Sequence, residues 1–236
     1  MRGTENPMLT RISLPLLALV AILGLYLGAA PAVHAQTRNP APAIGAPSQA
    51  DPAAFVDGLV QQALDLLRNT QQLSDAQRDQ RFKKLLDSGF DIPRIARFVL
   101  GRYWTSASDA DRAAFGDLFE QWIVRTYSQR FKDYSGETVQ VGTSRPESDT
   151  NFVVASQIVH PNGNPPAKVD WHVRKGEDGQ YKIVDVEVEG ISMALTQREE
   201  FASVIQRNDG SVASLNDALR QKLQAGDVDA GGDLKK

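Results

Sequence analysis

The stretch that decides the fold is SASDADRAAFGDLFEQWIVRTYSQRFKDY, Ser106 to Tyr134. Within it Phe115, Leu118, Phe119, Trp122, Ile123, Thr126, Tyr127, Phe131 and Tyr134 recur at spacings of three and four, which on a helix places them in one continuous stripe. Asp117, Glu120, Gln121, Arg125, Ser128, Gln129, Arg130, Lys132 and Asp133 fall between them as a solvated face. Ser106 or Ser108 caps the start, and Asp109 and Asp111 place carboxylates in the first turn, where the positive helix end favours them. Ser135-Gly136 is a natural stop. At the usual rise the helix is ~40 Å long. Two readings of its aromatic side chains stay open. Either they are ordinary core, or Trp122, Tyr127 and Phe131 line a cavity.

Upstream, the pattern is helical throughout. Asp51-Pro52 opens a helix with Asp51 as cap and Pro52 at the first helical position, and Phe55, Val56, Leu59, Val60, Ala63, Leu66 and Leu67 form its apolar face. Ser74 caps a second helix that buries Phe82, Leu85 and Leu86 and ends at Gly89. Phe90-Asp91-Ile92-Pro93 restarts the chain into a short helix through Ile95, Ala96, Phe98, Val99 and Leu100. Gly101 is a C-cap or a point of close contact, and Tyr103-Trp104 leads into the central helix.

Downstream of Gly136 the period changes to two. Thr138 to Val141 alternates as a strand. Phe152 to His160 is apolar on both phases, which predicts a strand covered on both faces. Pro161-Asn162-Gly163-Asn164 is a hairpin turn. From Lys168 to Arg174, Val169, Trp171 and Val173 face inward, and Lys168, Asp170, His172 and Arg174 face out. Glu177-Asp178-Gly179 turns the chain again. In the last strand Tyr181 and Ile183 share one phase while Val184, Val186 and Val188 share the other. That pattern fits burial on both faces or a bulge near Asp185. Thr196 and Glu199 form a capping box for a helix through Phe201, Val204 and Ile205, and Ser214 begins a final helix through Leu215, Leu219 and Leu223. Helices, then a meander of about four antiparallel strands, then two helices is an α+β order.

The N-terminus reads as a targeting segment. Arg11 precedes an apolar run from Leu14 to Ala30, and Val33-His34-Ala35 is a small-residue cleavage pattern, so residues 1–35 are expected to be a signal peptide cut after Ala35. Met8 offers an alternative start with a more compact signal. The Ala-, Pro-, Gln- and Ser-rich residues 36–50 are expected to be a flexible leader, residues 51–225 one domain, and residues 226–236 a disordered tail. The chain of 236 residues has no cysteine, so it has neither disulfides nor a lipidated thiol. With the export signal, this points to the periplasm. Its net charge is −3, and residues 1–35 contribute +1 of that, which leaves −4 for the exported part. Mild acidity without basic blocks argues against nucleic acid.

Chemistry is sparse. Beyond residue 35 the histidines are His160 and His172, so no metal cluster with the usual His or Cys spacing exists. There is no phosphate-cradling glycine loop and no nucleophile elbow. One enzyme reading uses Asp185, a carboxylate that an apolar cavity would keep protonated. The competing reading is a bulge or edge aspartate paired with an arginine.

Three segments in order, Val99-Leu100-Gly101-Arg102-Tyr103-Trp104, Pro161-Asn162-Gly163-Asn164-Pro165-Pro166 running to Val169-Asp170-Trp171, and Val188-Glu189-Gly190-Ile191-Ser192-Met193, resemble the MlaC family of toluene-tolerance periplasmic proteins from about Phe55 to Leu223. The resemblance implies a periplasmic carrier that ferries phospholipid between the two membranes and contributes to outer-membrane lipid asymmetry. It implies a curved antiparallel sheet and helices around a deep apolar pocket, and no cofactor. The implied partners are an inner-membrane ABC transporter with an MCE-type lipid-binding protein and an outer-membrane lipoprotein complex. A hopanoid is the alternative cargo, since one branch of the family is associated with hopanoids. By resemblance the pocket includes Tyr127 and Ile191. Strand phase and proximity add Trp171, Met193 and Val188, and the central stripe adds Phe119, Trp122 and Phe131. Exposing two acyl tails of ~30 methylenes to water costs on the order of 24 kcal/mol, so such a cargo needs an enclosed apolar home.

Overall fold

The computed structural model describes residues 46–226. Helix α1 (Pro52–Arg68) is followed by a 3₁₀ turn (Thr70–Gln72), α2 (Asp75–Gly89), α3 (Ile92–Leu100), the single turn α4 (Tyr103–Ser106) and α5 (Asp109–Gln129), which runs into a second 3₁₀ turn (Arg130–Asp133). Five strands follow: β1 (Thr138–Pro146), β2 (Asn151–Val159), β3 (Ala167–Lys175), β4 (Tyr181–Val188) and β5 (Ile191–Ser192). Helices α6 (Met193–Arg207) and α7 (Val212–Ala225) close the described chain. The strands pair antiparallel in sequence order, β1-β2-β3-β4-β5. This is the expected α+β order, with a fifth, two-residue strand beyond the four read from the sequence. No described helix is long and apolar enough to cross a membrane.

The helix starts follow from their caps. The Ala54 N–H donates to Asp51 Oδ1 at 2.9 Å, and the Asp111 N–H donates to Ser108 Oγ at 3.0 Å. Ser74 and Gln77 form a reciprocal capping box. Two expected caps move. Ser192, not Thr196, caps α6 by accepting from the Leu195 N–H at 3.0 Å, and the Thr196 hydroxyl bonds back to the Ser192 carbonyl. Ser211, not Ser214, caps α7 and accepts from the Ser214 N–H. Both helices start upstream of the expected caps, α6 directly after β5 and α7 directly after the turn at Asp209-Gly210.

Helix α5 departs from the single expected stripe. Phe115, Leu118, Phe119, Trp122 and Thr126 are buried on one side, but Val124 and Ser128 are also buried and project from roughly the opposite side at ~100° per residue. The helix is therefore a wall between two apolar clusters. One cluster joins Val124 and Phe131 to α1, α2 and the inner face of the sheet. The other joins Phe115, Leu118, Phe119 and Trp122 to α3, α6 and α7. Ile123 touches both. Ser128, taken from sequence as solvated, is inside because its hydroxyl bonds the Asp79 carboxylate, which also receives Arg125.

The sheet carries two irregularities. In β1 the register slips between Val141 and Ser144, which lets the strand run to Pro146, well past the expected end. In β4 the register slips so that Asp185 faces His172 while Ile183 faces Val173, the bulge that is one of the two readings of the mixed phase. The inward alternation of Val169, Trp171 and Val173 holds, with Lys168 exposed and His172 half-buried on the outer face between Glu147 and Glu187. Strand β2 is not covered on both faces. Val154, Ser156 and Ile158 are buried, whereas Ala155 and Gln157 are exposed and only Val153 is buried on the outer side. Its apolar outer positions are small or lie over the charged residues of β3. Packing against the domain begins before Asp51: Pro47 is buried, and Gln49 Oε1 accepts from the Tyr181 N–H at 2.6 Å. The signal peptide, residues 36–45 of the leader and residues 227–236 of the tail lie outside the described residues.

Phe119 stacks on Phe115 at 5.5 Å and meets Phe201 edge-on at 6.1 Å, with 2% of its surface exposed. Its truncation to alanine removes a packed ring with no room for collapse. Phe119→Ala is expected to cost about 3–5 kcal/mol of stability in urea unfolding, and a loss below ~1 kcal/mol would mean that the helical cluster is not close-packed.

Candidate functional site

The inner face of the sheet is built by side-chain alternation. Val154, Ser156 and Ile158 of β2, Val169, Trp171 and Val173 of β3, and Tyr181, Ile183, Val186 and Val188 of β4 line it, and none is charged. Its indole and serine are paired internally: the Trp171 indole N–H donates to Ser156 Oγ at 2.8 Å, and that hydroxyl donates to the Val169 carbonyl at 3.1 Å. The wall thus presents mostly hydrocarbon and aromatic surface, with the Trp171 N–H already satisfied.

A tight corner leads the chain off this wall. Glu189 and Gly190 both have positive φ, 49° and 80°, which lets Ile191 fold back and pair with Val188. Asp185, placed by the bulge, holds the corner. It accepts from its neighbour Val186 N–H at 2.8 Å, from the Ala194 N–H at 2.9 Å in the first turn of α6, and from the Ser192 hydroxyl. A carboxylate at a helix N-terminus is electrostatically favoured. Asp185 shares the phase of His172, away from the inner wall. Its partners are this helix end and Ser192 rather than the arginine considered from sequence, and its place is that of a positioning residue.

The eight residues nominated from sequence divide between the two clusters. Phe131, Trp171 and Val188 are buried in the sheet-side cluster, and Tyr127 and Met193 pack against it half-buried. Ile191 is half-buried in β5, tied to the wall through Val188. Phe119 and Trp122 are elsewhere. They pack on Phe201 in the helical cluster, with Trp122 at 5.7 Å from that ring. Sequence reasoning missed the sheet-side members Val154, Val173 and Ile183. Strand phase was the available signal for Val173.

Tyr127 is the ionisable group of this site. The surrounding apolar atoms push its phenol up to about 12, partly offset by Arg130 and reinforced by Glu200. A separate cleft of about 240 Å³ is lined by Thr70, Gln71, Leu73, Arg78 and Lys132. Its two cations make it unsuited to hydrocarbon. Among the described residues no cluster of three or more His, Asp or Glu is arranged to hold a metal.

The MlaC protein family model matches residues 57–221. The chain is 32% identical over 97 residues to the intermembrane phospholipid transport system binding protein MlaC of Haemophilus influenzae, an alignment covering 40% of this chain and 45% of that protein, less than half of its length. Its structure is similar, with a TM-score of 0.64 and 26% identity, to a phospholipid-binding protein of Ralstonia solanacearum in complex with a phospholipid. That match covers 75% of this chain and 99% of the other.

A raised phenol pKa has a readable consequence. The folded state favours the neutral phenol, so Tyr127 contributes stability that is complete below pH ~10 and is lost as the pH rises through about 12. In an ultraviolet titration Tyr127 is expected to ionise last. Tyr127→Phe then removes the late phase, and a wild-type protein whose tyrosines all titrate near 10 would contradict the apolar setting.

Proposed function

The chain belongs to the MlaC family, and from that premise we propose that it is a lipid carrier, holding the acyl chains of a phospholipid against the inner face of its sheet. The single observation that supports this most is the likeness to a phospholipid-bound protein across 99% of that protein's length. The uncharged inner wall is the surface that fits the task. An acyl chain gains ~0.8 kcal/mol per methylene on leaving water. Valine, isoleucine and tryptophan side chains offer it contacts, and the Trp171 N–H is already paired with Ser156.

On this reading the protein performs no chemistry. It works in the periplasm after removal of residues 1–35, between an inner-membrane ABC transporter with an MCE-type protein and an outer-membrane lipoprotein complex. The lining proposed is Tyr127, Phe131, Trp171, Val188, Ile191 and Met193. Phe119 and Trp122 support it from the far side of α5 as packing. The corner at Glu189-Gly190 is the natural mouth, since Ile191 and Met193 flank it half-buried and the headgroup stays in solvent there. Mass spectrometry of the extracted lipid separates phospholipid from a hopanoid.

A pair of variants tests lining against packing. Tyr127→Glu and Ile191→Glu each put a carboxylate beside acyl chains, an unpaired charge costing several kcal/mol in that setting. Without a tail against it the carboxylate reaches water. Both are expected to purify with little lipid and a melting temperature within a few degrees of wild type. Trp122→Glu, by contrast, buries a charge among Phe119 and Phe201 and is expected to unfold the domain. Full lipid retention in the first two, or unfolding of all three alike, places the cargo elsewhere.

A further inference from the structure

Phe98 on α3 and Leu195 on α6 are the large apolar side chains left exposed among the described residues, at 44% and 46%. They belong to one surface. Arg198, one turn beyond Leu195, lies over the Phe98 ring at 5.3 Å. The path between them runs over Gly101, where a Cβ would sit 2.7 Å from Arg198 Nε, so the glycine at φ 53° is what lets the guanidinium cross from α6 to α3. Arg97 lies over Trp104 at 5.9 Å and Arg102 over Tyr103 at 4.9 Å, at the α3–α4 junction formed by Gly101. Cation–π pairs occur roughly once per 70–80 residues, so four around this junction, with Arg112 over Trp104 at 5.8 Å, are a concentration.

The charge around these side chains is also unusual for this chain. Arg68, Arg125 and Arg220 each sit on a carboxylate, and Arg112, which also lies over Trp104 at 5.8 Å, sits on Asp109. Among the described residues Arg97, Arg102 and Arg198 have aromatic or phenolic partners and form no ion pair with a carboxylate. A guanidinium over a ring still carries N–H groups that a carboxylate engages bidentately, although one Arg102 N–H already donates to the Tyr103 hydroxyl at 2.8 Å. The arrangement is an apolar centre with a rim of arginines, the composition of a protein-binding hot spot.

We propose that this face docks a protein segment that presents apolar side chains flanked by Asp and Glu. Charge complementarity selects that occupant over an anionic bilayer. A bilayer is an extended surface and meets the whole chain, whose net charge is −3, whereas a short segment feels the local field within ~8 Å. Two exposed apolar side chains also offer a membrane little to hold. The face begins two residues beyond Met193, so a segment docked there lies against the corner that flanks the lipid wall. Its role in lipid hand-over rests on the carrier reading, while the docking itself does not.

The test uses a fluorescein-labelled amphipathic peptide with Leu at every third and fourth position and Glu between, and an identical peptide with Gln for Glu. Fluorescence anisotropy with the full chain is expected to show saturable binding of the Glu peptide that weakens with salt, and at least about tenfold weaker binding of the Gln peptide. Arg97→Glu with Arg198→Glu, and Phe98→Ser with Leu195→Ser, are each expected to weaken it by about tenfold or more. Arg68→Glu with Arg220→Glu leaves it unchanged. No binding by the wild type, equal binding by the patch variants, or patch-dependent co-sedimentation with phosphatidylglycerol vesicles in place of peptide binding would overturn the proposal. Lipid content measured in the same preparations separates the two readings. Patch variants that keep their lipid and lose the peptide support docking. A wild type that binds peptide but holds no lipid overturns the carrier reading alone.

Discussion

Everything in this fold depends on one helix being apolar on two sides. Along α5 and the 3₁₀ turn that continues it, Phe119 and Trp122 face one way while Val124 and Phe131 face the other. A helix of that kind cannot sit on the surface, since either side alone would leave aromatic area in water. It must be a partition. The requirement places α3, α6 and α7 against one side and α1, α2 and the sheet against the other, and it gives the molecule two clusters with different jobs. The helical cluster is filled by interlocking rings of Phe115, Phe119, Trp122 and Phe201. The sheet-side cluster faces a wall whose chemistry suits a hydrocarbon chain.

The second constraint is the turn off the sheet. A bulge in β4 aims Asp185 at the start of α6, and its carboxylate ties together Ser192, Ala194 and its own strand. One acidic side chain thereby fixes the angle between sheet and helix. Met193, Leu195 and Arg198 follow within two turns, so the same anchor sets both the edge of the apolar wall and the position of the exposed arginine-rimmed face. The outer face of the sheet does none of this. His172, Glu147 and Glu187 hold one another there in solvent.

Much of this was legible in the sequence, and for definite reasons. Clean alternation from Lys168 to Arg174 gave the right faces because a half-solvated strand has only one way to alternate. The capped helix starts at Asp51 and Ser74 were readable because the capping side chains are local. The bulge was visible as a phase conflict around Val184. What escaped was set by tertiary packing. A spacing of three and four selects one helix face, so Phe119, Trp122, Tyr127 and Phe131 looked like a single set. Their division between two clusters depends on what packs against α5 at each height, and Ser128 was misread for the same reason. The two-residue β5 carries no periodic signal at all. Its existence follows from the Glu189-Gly190 backbone and the Val188 pairing. The exposed face of Phe98 and Leu195 was equally hidden, because the two residues are joined through space over Gly101.

The division of labour across α5 is the central claim, and a photoreactive phospholipid tests it most directly. The lipid carries a diazirine near the end of one acyl chain and is loaded onto the purified protein, irradiated, and mapped by peptide mass spectrometry. The account predicts labelling on the sheet side of the partition, at peptides containing Trp171, Tyr127 or Met193, with none at Phe115 or Phe201. Labelling concentrated at Phe115, Phe119 or Phe201 would contradict it, because the tail would then lie in the cluster assigned here to packing.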